Sequence, residues 1–323
     1  MKKALILGIG GTFGGHVAKA LAQQGWQVKA MVRNPDKCKA SITGMQICRG
    51  DAANIEDVRA AASGVSLIVY GVNPPNYDWD NKALPWIDVT ATVAEEQGLT
   101  VVFPGNVYVL NPAHGPVFEE SAAMDPVTTL GKTRLAMEQR LQRAAENGAQ
   151  VIIMRAGDFI APGARSSWTQ HLFRQNKKGV TISAPGDASL PHTWAYVPDL
   201  AHTIAALVDK SDALETFNVF HYKGYRASIN DMAEAITLAT GLLVKVTGYP
   251  WWLMKVFSYF SVMFRGVMEM SYLWREEVSL CDDKLRDSLG FAPTTTPLVQ
   301  ALIESKLIRD MGVQQGAWSN AKH

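Results

Sequence analysis

The first thirty-three residues constrain the fold of this chain more than any other segment. A short apolar run, Lys3–Leu7, is followed by a glycine-rich stretch at 8–15. Apolar residues then recur at helical spacing as far as Gly25, and residues 28–32 alternate as they do in a strand. This order predicts a strand, a tight turn, a helix and a second strand, which is the unit that builds a parallel sheet covered by helices.

The glycines of the turn have the spacing G-x-x-G-x-x-G, at Gly8, Gly11 and Gly14. Glycine at such a turn lets the main chain approach a pyrophosphate, whose charge is then stabilised by amides at the helix N-terminus. We therefore expect a dinucleotide here, held by these glycines together with Thr12 and Phe13. The alternative is that the glycines only allow the helix to pack closely on the strand.

The end of the second predicted strand indicates which dinucleotide is preferred. A carboxylate there would bind a free ribose 2′-hydroxyl, whereas an arginine would neutralise a 2′-phosphate. No acidic residue precedes Arg33 in the strand, and Lys37 follows shortly after it. The pattern favours NADP as cofactor without excluding NAD. The alternative is that Arg33 is a solvated side chain on a loop.

Apolar strands alternate with helical patterns along the chain, which predicts an α/β fold: a Rossmann-type, doubly wound parallel sheet with a smaller C-terminal substrate lobe. Residues 1–157, completed by roughly 193–220, form the predicted nucleotide-binding core, and 158–192 with 221–323 form the lobe. The predicted strands are 4–7, 28–32, 46–49, 67–70, 100–103, 151–155 and 217–220. The loops that follow them should meet at the carboxyl edge of the sheet, where such folds bind ligands.

Composition and cysteine usage narrow the class of protein. A net charge of +1 over 323 residues gives no electrostatic footprint for nucleic acid, so we expect a small-molecule substrate instead. Cys38, Cys48 and Cys281 have no metal-ligand spacing and cannot all pair, which favours a reducing compartment and no metal site. The first strand begins almost at Met1 and leaves no room for a signal peptide, so a cytoplasmic protein is expected.

Features spread along the chain are shared with one family. They are the three spaced glycines, Gly50-Asp51 after the third strand, Val107-Tyr108 after the fifth, the predicted helix with Lys132, and the segment 192–201. Through them the chain resembles, over essentially its whole length, the extended short-chain dehydrogenases/reductases of the NAD-dependent epimerase/dehydratase group.

The resemblance also assigns expected roles in cofactor binding. It implies that Asp51, with Ala52 beside it, approaches the adenine, and that the loop Tyr70-Gly71-Val72 lines the adenosine ribose. It further implies that Lys132 hydrogen-bonds the nicotinamide ribose, a role that needs only an ammonium group.

The catalytic residues of the family do not carry over to this chain. In the family a tyrosine lies four residues before a lysine on one helix, and the lysine lowers the tyrosine pKa so that it exchanges a proton near neutral pH. Here Lys132 is present, but the position four before it is Thr128, whose hydroxyl cannot take that role. The serine that polarises the substrate carbonyl is absent from 103–106 as well.

Other residues are candidates for the missing chemistry, beside Lys132. Tyr108 could donate a proton if its ring faces the cleft, and buried packing is the alternative. Asn106 could hold a substrate oxygen or the backbone of its loop. His192 stands where nucleotide-sugar epimerases often have an arginine, which disfavours a diphosphate substrate. Asp158 is a further candidate, at the boundary between cofactor and substrate.

The segment 251–270 is the unusual feature of the C-terminal lobe. Its pattern predicts one helix with a wide apolar face and a narrow polar stripe that contains Lys255 and Arg265. Charges interrupt it too often for a membrane span. The apolar face could cover the core of the lobe, an apolar substrate cleft or a membrane surface, and membrane contact is the least expected of the three. We expect it to form an apolar wall at the nicotinamide end of the cleft.

Two functions remain compatible with the sequence. The first is an NADP-dependent, epimerase/dehydratase-like oxidoreductase that acts on a small, fairly apolar carbonyl compound and lacks the usual tyrosine. The second is a non-catalytic NAD(P)-binding redox sensor or regulatory protein. The lost tyrosine and serine favour the second, whereas the elaborated lobe favours the first, which we take as the prediction. The helices predicted at 84–97 and 130–147 correspond to those that pair in dimers of the family, so a homodimer through them is a further prediction.

Overall fold

The protein was analysed as a computed structural model, which describes residues 2–37, 44–79, 81–164, 167–176 and 179–309. Cys38 lies outside the described residues. The strands are β1 (Lys3–Leu7), β2 (Gln27–Val32), β3 (Gln46–Arg49), β4 (Leu67–Tyr70), β5 (Thr100–Asn106), β6 (Val117–Phe118), β7 (Gln150–Ala156), β8 (Asp158–Ile160), β9 (Phe173–Asn176), β10 (Gly179–Ala184), β11 (His192–Tyr196), β12 (Phe217–Tyr222), β13 (Tyr225–Ala227), β14 (Val244–Gly248) and β15 (Ser279–Leu280). The α-helices are α1 (Thr12–Gln23), α2 (Ile55–Ala62), α3 (Ala83–Gln97), α4 (Thr129–Glu146), α5 (Trp168–Leu172), α6 (Val197–Val208), α7 (Ile229–Thr240), α8 (Trp251–Ser258), α9 (Val262–Glu269), α10 (Asp283–Leu289) and α11 (Leu298–Glu304).

Seven strands form a parallel central sheet in the order β12-β7-β5-β4-β1-β2-β3. This confirms the predicted Rossmann-type doubly wound α/β fold and all seven predicted strands. The predicted bounds differ from those observed by a few residues, the largest difference being β5, which continues through Asn106. The strand order reverses direction at β1, so the loop after β1 lies at the point where open α/β sheets bind ligands.

Helices cover both faces of the sheet, and the alternation of side chains in the strands follows from this. In β1, Leu5 and Leu7 belong to the core beneath α2, α3 and α4, whereas Ala4 and Ile6 belong to the core beneath α1 and α6. All four side chains are fully buried. A strand that is buried on both faces is apolar at every position, which is why the sequence shows continuous apolar runs.

Three smaller sheets build the rest of the molecule: β14-β10-β9, β13-β11-β8 and β15-β6. The segment 193–220, predicted to complete the core, is divided between the two parts. Its β11 pairs with β8 and β13 in a small sheet, while α6 and β12 return to the central sheet. β8 and β11 thereby bring Asp158 and His192 to the edge of the core.

The segment 251–270 forms two helices, so the prediction of one helix is wrong. The chain reverses between α8 and α9, and Phe257 and Phe264 stack across the pair with ring centroids 5.2 Å apart. Ser261 has an extended backbone (φ −143°, ψ 129°) and starts α9. Serine favours this position before a helix, so Ser261 was the available signal for the break. No helix in the described ranges is long and apolar enough to cross a bilayer.

Candidate functional site

The glycine-rich turn after β1 is closed against the turn after β4. Gly8 has a φ of 84°, and a Cβ atom on it would lie 2.4 Å from the carbonyl oxygen of Gly71. A Cβ atom on Gly14 would lie 2.6 Å from the carbonyl oxygen of Gly8. The amide of Gly11 donates to that same oxygen at 2.9 Å. Side chains are therefore excluded at Gly8 and Gly14, and the main chain forms the surface of the turn.

The N-terminus of α1 adjoins this turn and is free to bind an anion. Gly11 precedes the helix with no side-chain cap, and its first turn contains no acidic residue. A Cβ atom on Gly10 would meet nothing within 4 Å, so the approach to the turn is open. The ring of Phe13 packs in the core, which fixes the helix while Thr12 remains half-buried. These residues fit the pyrophosphate of a dinucleotide.

The next strands contribute two charged residues at the same edge. Arg33 directly follows β2, is exposed and has no ion-pair partner within the described residues. Asp51 follows β3, where its Oδ1 accepts a hydrogen bond from the amide of Ala53 at 3.0 Å. Its own amide donates to Asp57 Oδ2 at 2.8 Å, with Ala52 half-buried in the same turn. Asp51 thus shapes the loop, while Arg33 leaves its guanidinium free for a ligand.

The side chain of Tyr70 points into the core, so the main chain is the part of Tyr70 that remains for the expected contact of this loop with a ribose. It is fully buried, with its ring centroid 5.8 Å from that of Phe103 in the core beneath α3 and α4. Strand alternation puts it on that face. Only the main chain at Tyr70, together with Gly71 and half-buried Val72, reaches the cleft side of the loop.

The register of α4 differs from the one the sequence suggested. Thr128 precedes the helix, and its side chain accepts a hydrogen bond from the amide of Gly131 at 3.1 Å. Lys132 is exposed, whereas Arg134 is only 7% exposed. Because residues two apart on a helix face different directions, α4 turns Arg134 toward the sheet and Lys132 away from it. The structure does not support Lys132 as the ribose-binding or catalytic residue.

The inward face of α4 lacks a phenol in either register. Leu130 stands four residues before Arg134, just as Thr128 stands four before Lys132. Arg134 donates to the carbonyl oxygen of Pro104, and its guanidinium lies 4.4 Å from the ring centroid of Phe103. It therefore fixes the end of β5 against α4.

A buried ion pair continues this inward face. Glu138 Oε2 accepts a hydrogen bond from Arg155 Nη2 at 2.5 Å, and the two side chains are 2% and 1% exposed. On the neighbouring strand, Nε2 of His221 lies 3.5 Å from Nη1 of Arg155. Burial, reinforced by the charge of Arg155, lowers the pKa of His221 to about 3, so this histidine is neutral. The cluster is a structural support beneath the carboxyl edge.

Two tyrosines, Tyr77 and Tyr108, contribute phenol groups to the site. Asn106 Oδ1 accepts a hydrogen bond from the amide of Tyr108 at 3.1 Å, so Asn106 holds the backbone of its loop, one of the two roles considered for it. The hydroxyl groups of Tyr108 and Tyr77 lie close enough to influence each other's proton. Burial raises the pKa of both phenols, well above the usual range for Tyr108 and to about 12 for Tyr77. The Tyr108 hydroxyl partly offsets this rise at Tyr77, because it stabilises the Tyr77 anion.

Tyr77 was missed in the sequence. It lies between β4 and α3 with a φ of 56°, a left-handed conformation that is uncommon for a residue with a side chain. Such backbone strain concentrates at functional sites. The stretch 73–77, two prolines between two asparagines and then a tyrosine at the carboxyl edge, was the only signal available.

Asp158 and His192 form a second pair beside the phenols. Asp158 Oδ2 lies 2.7 Å from His192 Nε2, and both side chains are largely buried. The charge of Asp158 contributes to the raised pKa of Tyr77 and Tyr108, so its carboxylate lies within electrostatic range of them. The His192 ring stacks on Trp274, with centroids 4.1 Å apart. The structure therefore brings together three sequence candidates, Tyr108, Asp158 and His192, at one edge.

Helix α9 closes the site on the side of the C-terminal lobe. A Cβ atom on Gly266 would lie 2.6 Å from Cβ of Tyr77, so this glycine allows α9 to pack directly on Tyr77. Glu269 Oε1 accepts a hydrogen bond from the amide of Leu130 at 2.7 Å. Helix α9 therefore packs on Tyr77, whereas α8 leaves Trp252 exposed, and the apolar wall at the nicotinamide end of the cleft stays a prediction.

Replacing Thr128 by valine tests its role as a helix cap. The change removes the acceptor for the amide of Gly131, so we expect the free energy of unfolding to fall by about 1 kcal/mol in a urea titration. Thr128→Ser keeps the acceptor and should retain the stability. Any turnover should stay within about tenfold of the unmodified protein, because general acid-base groups contribute roughly 10² to 10⁴. A thousandfold loss of rate in a folded Thr128→Val variant would show that the hydroxyl takes part in the chemistry.

Comparison with known proteins identifies similar chains. The sequence is 26% identical over 227 residues to the uncharacterized protein y4nG of Sinorhizobium fredii, covering 68% of this chain and 56% of that protein. It is 24% identical over 225 residues to cinnamoyl-CoA reductase 1 of Arabidopsis thaliana, covering 62% of this chain and 64% of that protein. The chain therefore matches less than two thirds of the length of either curated relative.

The fold is shared with a solved structure over almost the whole chain. A provisionally assigned epimerase from Burkholderia cenocepacia J2315 superposes with a TM-score of 0.76 at 17% identity, covering 95% of this chain and 97% of that chain. A model of the NAD dependent epimerase/dehydratase family matches residues 4–220, which include the glycine turn, both tyrosines, Asp158 and His192. The chain belongs to the NAD-dependent epimerase/dehydratase family.

Proposed function

We propose that the protein is an NAD(P)-dependent oxidoreductase that reduces a small, fairly apolar carbonyl compound. The observation that carries the proposal is the pair of neighbouring phenols Tyr77 and Tyr108, near the paired Asp158 and His192. The pair lies at the carboxyl edge that also holds the glycine turn, and it offers a phenol where the family's tyrosine is missing. Membership of an NAD-dependent family and similarity to a reductase support the same reading.

The proposed reaction adds a hydride and a proton to a carbonyl group. A bound reduced nicotinamide supplies the hydride to the carbonyl carbon. Tyr77 donates its hydroxyl proton to the carbonyl oxygen, which gives the alcohol, and the Tyr108 hydroxyl stabilises the resulting phenolate until solvent returns a proton. The raised pKa of Tyr77 keeps it protonated at neutral pH, which a proton donor requires.

The walls of the site favour an apolar substrate. Gly266 of α9 packs on Tyr77, and Trp79 stacks on Tyr108 with ring centroids 6.5 Å apart. The neighbouring Arg134 donates a hydrogen bond to the carbonyl oxygen of Pro104, so its guanidinium is not free to bind a diphosphate. An apolar aldehyde or ketone fits these surroundings better than a nucleotide sugar does.

NADP is proposed as the preferred cofactor, on the strength of Arg33. Arg33→Ala should lower the affinity for NADPH by roughly tenfold to a hundredfold, since a hydrogen bond to a charged group contributes about 1.5–3 kcal/mol. The affinity for NADH should change little. Both values follow from fluorescence titrations of the protein with each cofactor.

The control for this prediction is Arg226→Ala. Arg226 is exposed and pairs with Glu277 in the second lobe, so its loss should leave both affinities unchanged. Equal affinities of the unmodified protein for NADPH and NADH would remove the basis for the proposed preference.

A second function is favoured by one specific observation. The inward face of α4 carries Leu130 and Arg134 instead of a tyrosine and a lysine, so the family's own proton donor is absent. A non-catalytic NAD(P)-binding redox sensor would not need it. The two functions differ in one measurable quantity, the rate of NADPH consumption in the presence of a carbonyl compound.

The predicted homodimer stays a prediction. Helices α3 and α4 lie side by side, and Arg140 of α4 binds Asp88 and Glu95 of α3, the latter at 2.6 Å. These contacts join the two helices within one chain and leave their outer surfaces for a partner. A light-scattering mass measurement tests the dimer directly.

A further inference from the structure

The turn between α8 and α9 exposes a concentrated set of large apolar side chains. We call residues 252–262 the hairpin tip. Trp252 is 72% exposed, Tyr259 73% and Phe260 84%. Val256, Phe257 and Val262 are exposed beside them. Burying such side chains is favourable, so a contiguous exposed group of them marks a surface that something else covers.

The base of the hairpin is fixed to the protein, which holds the tip outward. Trp251 donates from Nε1 to the carbonyl oxygen of Pro185 and packs on Trp168, with ring centroids 6.1 Å apart. At the other end, Gly266 packs on Tyr77. No residue of α8 is fully buried. The tip is therefore held in place without being folded into the core of the lobe.

The charges around the tip have one sign. Between Pro250 and Met268 the charged residues are Lys255 and Arg265, with no acidic residue. Both side chains are exposed, and neither has an ion-pair partner among the described residues. The next acidic residue, Glu269, is turned inward to the amide of Leu130. An anionic surface is the complement of this arrangement.

We propose that the hairpin tip docks the protein on an anionic lipid surface. Tryptophan and tyrosine favour the boundary between headgroups and acyl chains, and Phe260 at the turn would enter the apolar side of it. Lys255 and Arg265 would bind the headgroups, because an anionic leaflet attracts cations near its surface. This docking is peripheral and does not depend on the proposed reaction.

A second copy of the chain is a poorer occupant of the same surface. In a two-fold dimer the same patch meets itself, so Lys255 and Arg265 of one copy would face the same cations of the other. No carboxylate in the segment is available to neutralise them. Charge therefore favours a lipid surface over self-association.

The test is co-sedimentation of the full chain with vesicles. We expect the protein to pellet with vesicles of phosphatidylcholine containing phosphatidylglycerol and much less with phosphatidylcholine alone. Raising the salt concentration should weaken the binding, because it screens the two cations. Equal recovery in the supernatant with both vesicle types would overturn the proposal.

Variants distinguish the hairpin tip from other exposed apolar residues. The double variant Trp252→Ser and Phe260→Ser should weaken binding at least about tenfold, since two large apolar side chains no longer enter the interface. Lys255→Gln with Arg265→Gln should remove the preference for the anionic lipid. Phe291→Ser is the matched control, because Phe291 is 52% exposed beside Lys210 on another part of the molecule.

Two outcomes of these variants would overturn the proposal. One is vesicle binding by the Trp252→Ser and Phe260→Ser variant that equals that of the unmodified protein. The other is a dimer of the unmodified protein, seen by light scattering without lipid, that this variant converts to a monomer; the hairpin tip would then be a protein interface. Thermal unfolding of each variant provides the check on folding.

Discussion

Replacing Tyr77 by phenylalanine is expected to lower kcat for carbonyl reduction by roughly 10² to 10⁴, the usual contribution of a general acid. The change removes only the hydroxyl that donates the proton and keeps the ring on which Gly266 packs. KM should change little, because the loss falls on the chemical step. Steady-state NADPH consumption with an accepted aldehyde or ketone measures both constants.

Two neighbouring tyrosines serve as comparisons for Tyr77. Tyr108→Phe should cause a smaller loss, because Tyr108 stabilises the Tyr77 anion and does not donate the proton to substrate. Tyr272→Phe is the matched control: its hydroxyl is buried nearby and has no hydrogen-bond partner within the described part of the chain. We expect the rate of the Tyr272→Phe variant to stay within a few fold of that of the unmodified protein. A Tyr77→Phe variant as active as Tyr272→Phe would remove Tyr77 as the donor.

Glu138→Ala is expected to destabilise the protein by about 3–5 kcal/mol. The change leaves the guanidinium of Arg155, which is 1% exposed, without the carboxylate that lies 2.5 Å from it. A buried charge without a partner is far more costly than the loss of the attraction itself. The measurement is the free energy of unfolding from a urea titration, compared with that of the unmodified protein.

The control for this prediction is an ion pair of the same length at the surface. Glu56 and Arg59 are also 2.5 Å apart, but the Glu56 side chain is 75% exposed. Glu56→Ala should therefore change the free energy of unfolding by less than about 1 kcal/mol. Similar losses for Glu138→Ala and Glu56→Ala would mean that burial of the Glu138 pair does not determine its contribution.

The sheet and the glycine turn could be predicted because their signals are local. Most strands of the central sheet are short apolar runs that follow a helical pattern, and Gly8, Gly11 and Gly14 lie within one turn. The ends of the strands were predicted less accurately than their positions, since β5 continues to Asn106 through a proline and a glycine. Those two residues are uncommon in strands, so they ended the predicted strand early.

The sequence does not determine which face of α4 is buried against the sheet. Lys132 and Arg134 are both basic and lie within one helical turn, and only packing against β5 decides which of them is buried. Counting four residues back from Lys132 led to Thr128, which caps the helix. Neither register places a phenol four residues before the basic residue, because Leu130 is as unable as Thr128 to exchange a proton.

The phenol pair was beyond prediction for a different reason. Tyr77 and Tyr108 lie on separate loops, after β4 and after β5, and they meet because these strands are neighbours in the sheet. Only the neighbourhood of the two loops could be inferred, from the rule that parallel strands end at one edge. The approach of the two hydroxyl groups depends on side-chain directions that the loop sequences do not specify.

NADPH consumption by the unmodified protein with a panel of apolar aldehydes and ketones decides whether the protein is a reductase. At least one of these compounds should be reduced with turnover, and Tyr77→Phe should abolish most of the rate without weakening cofactor binding. Tight binding of NADPH with no turnover across aliphatic and aromatic members of the panel would exclude the proposed reduction. That result would assign the glycine turn to a non-catalytic cofactor-binding protein.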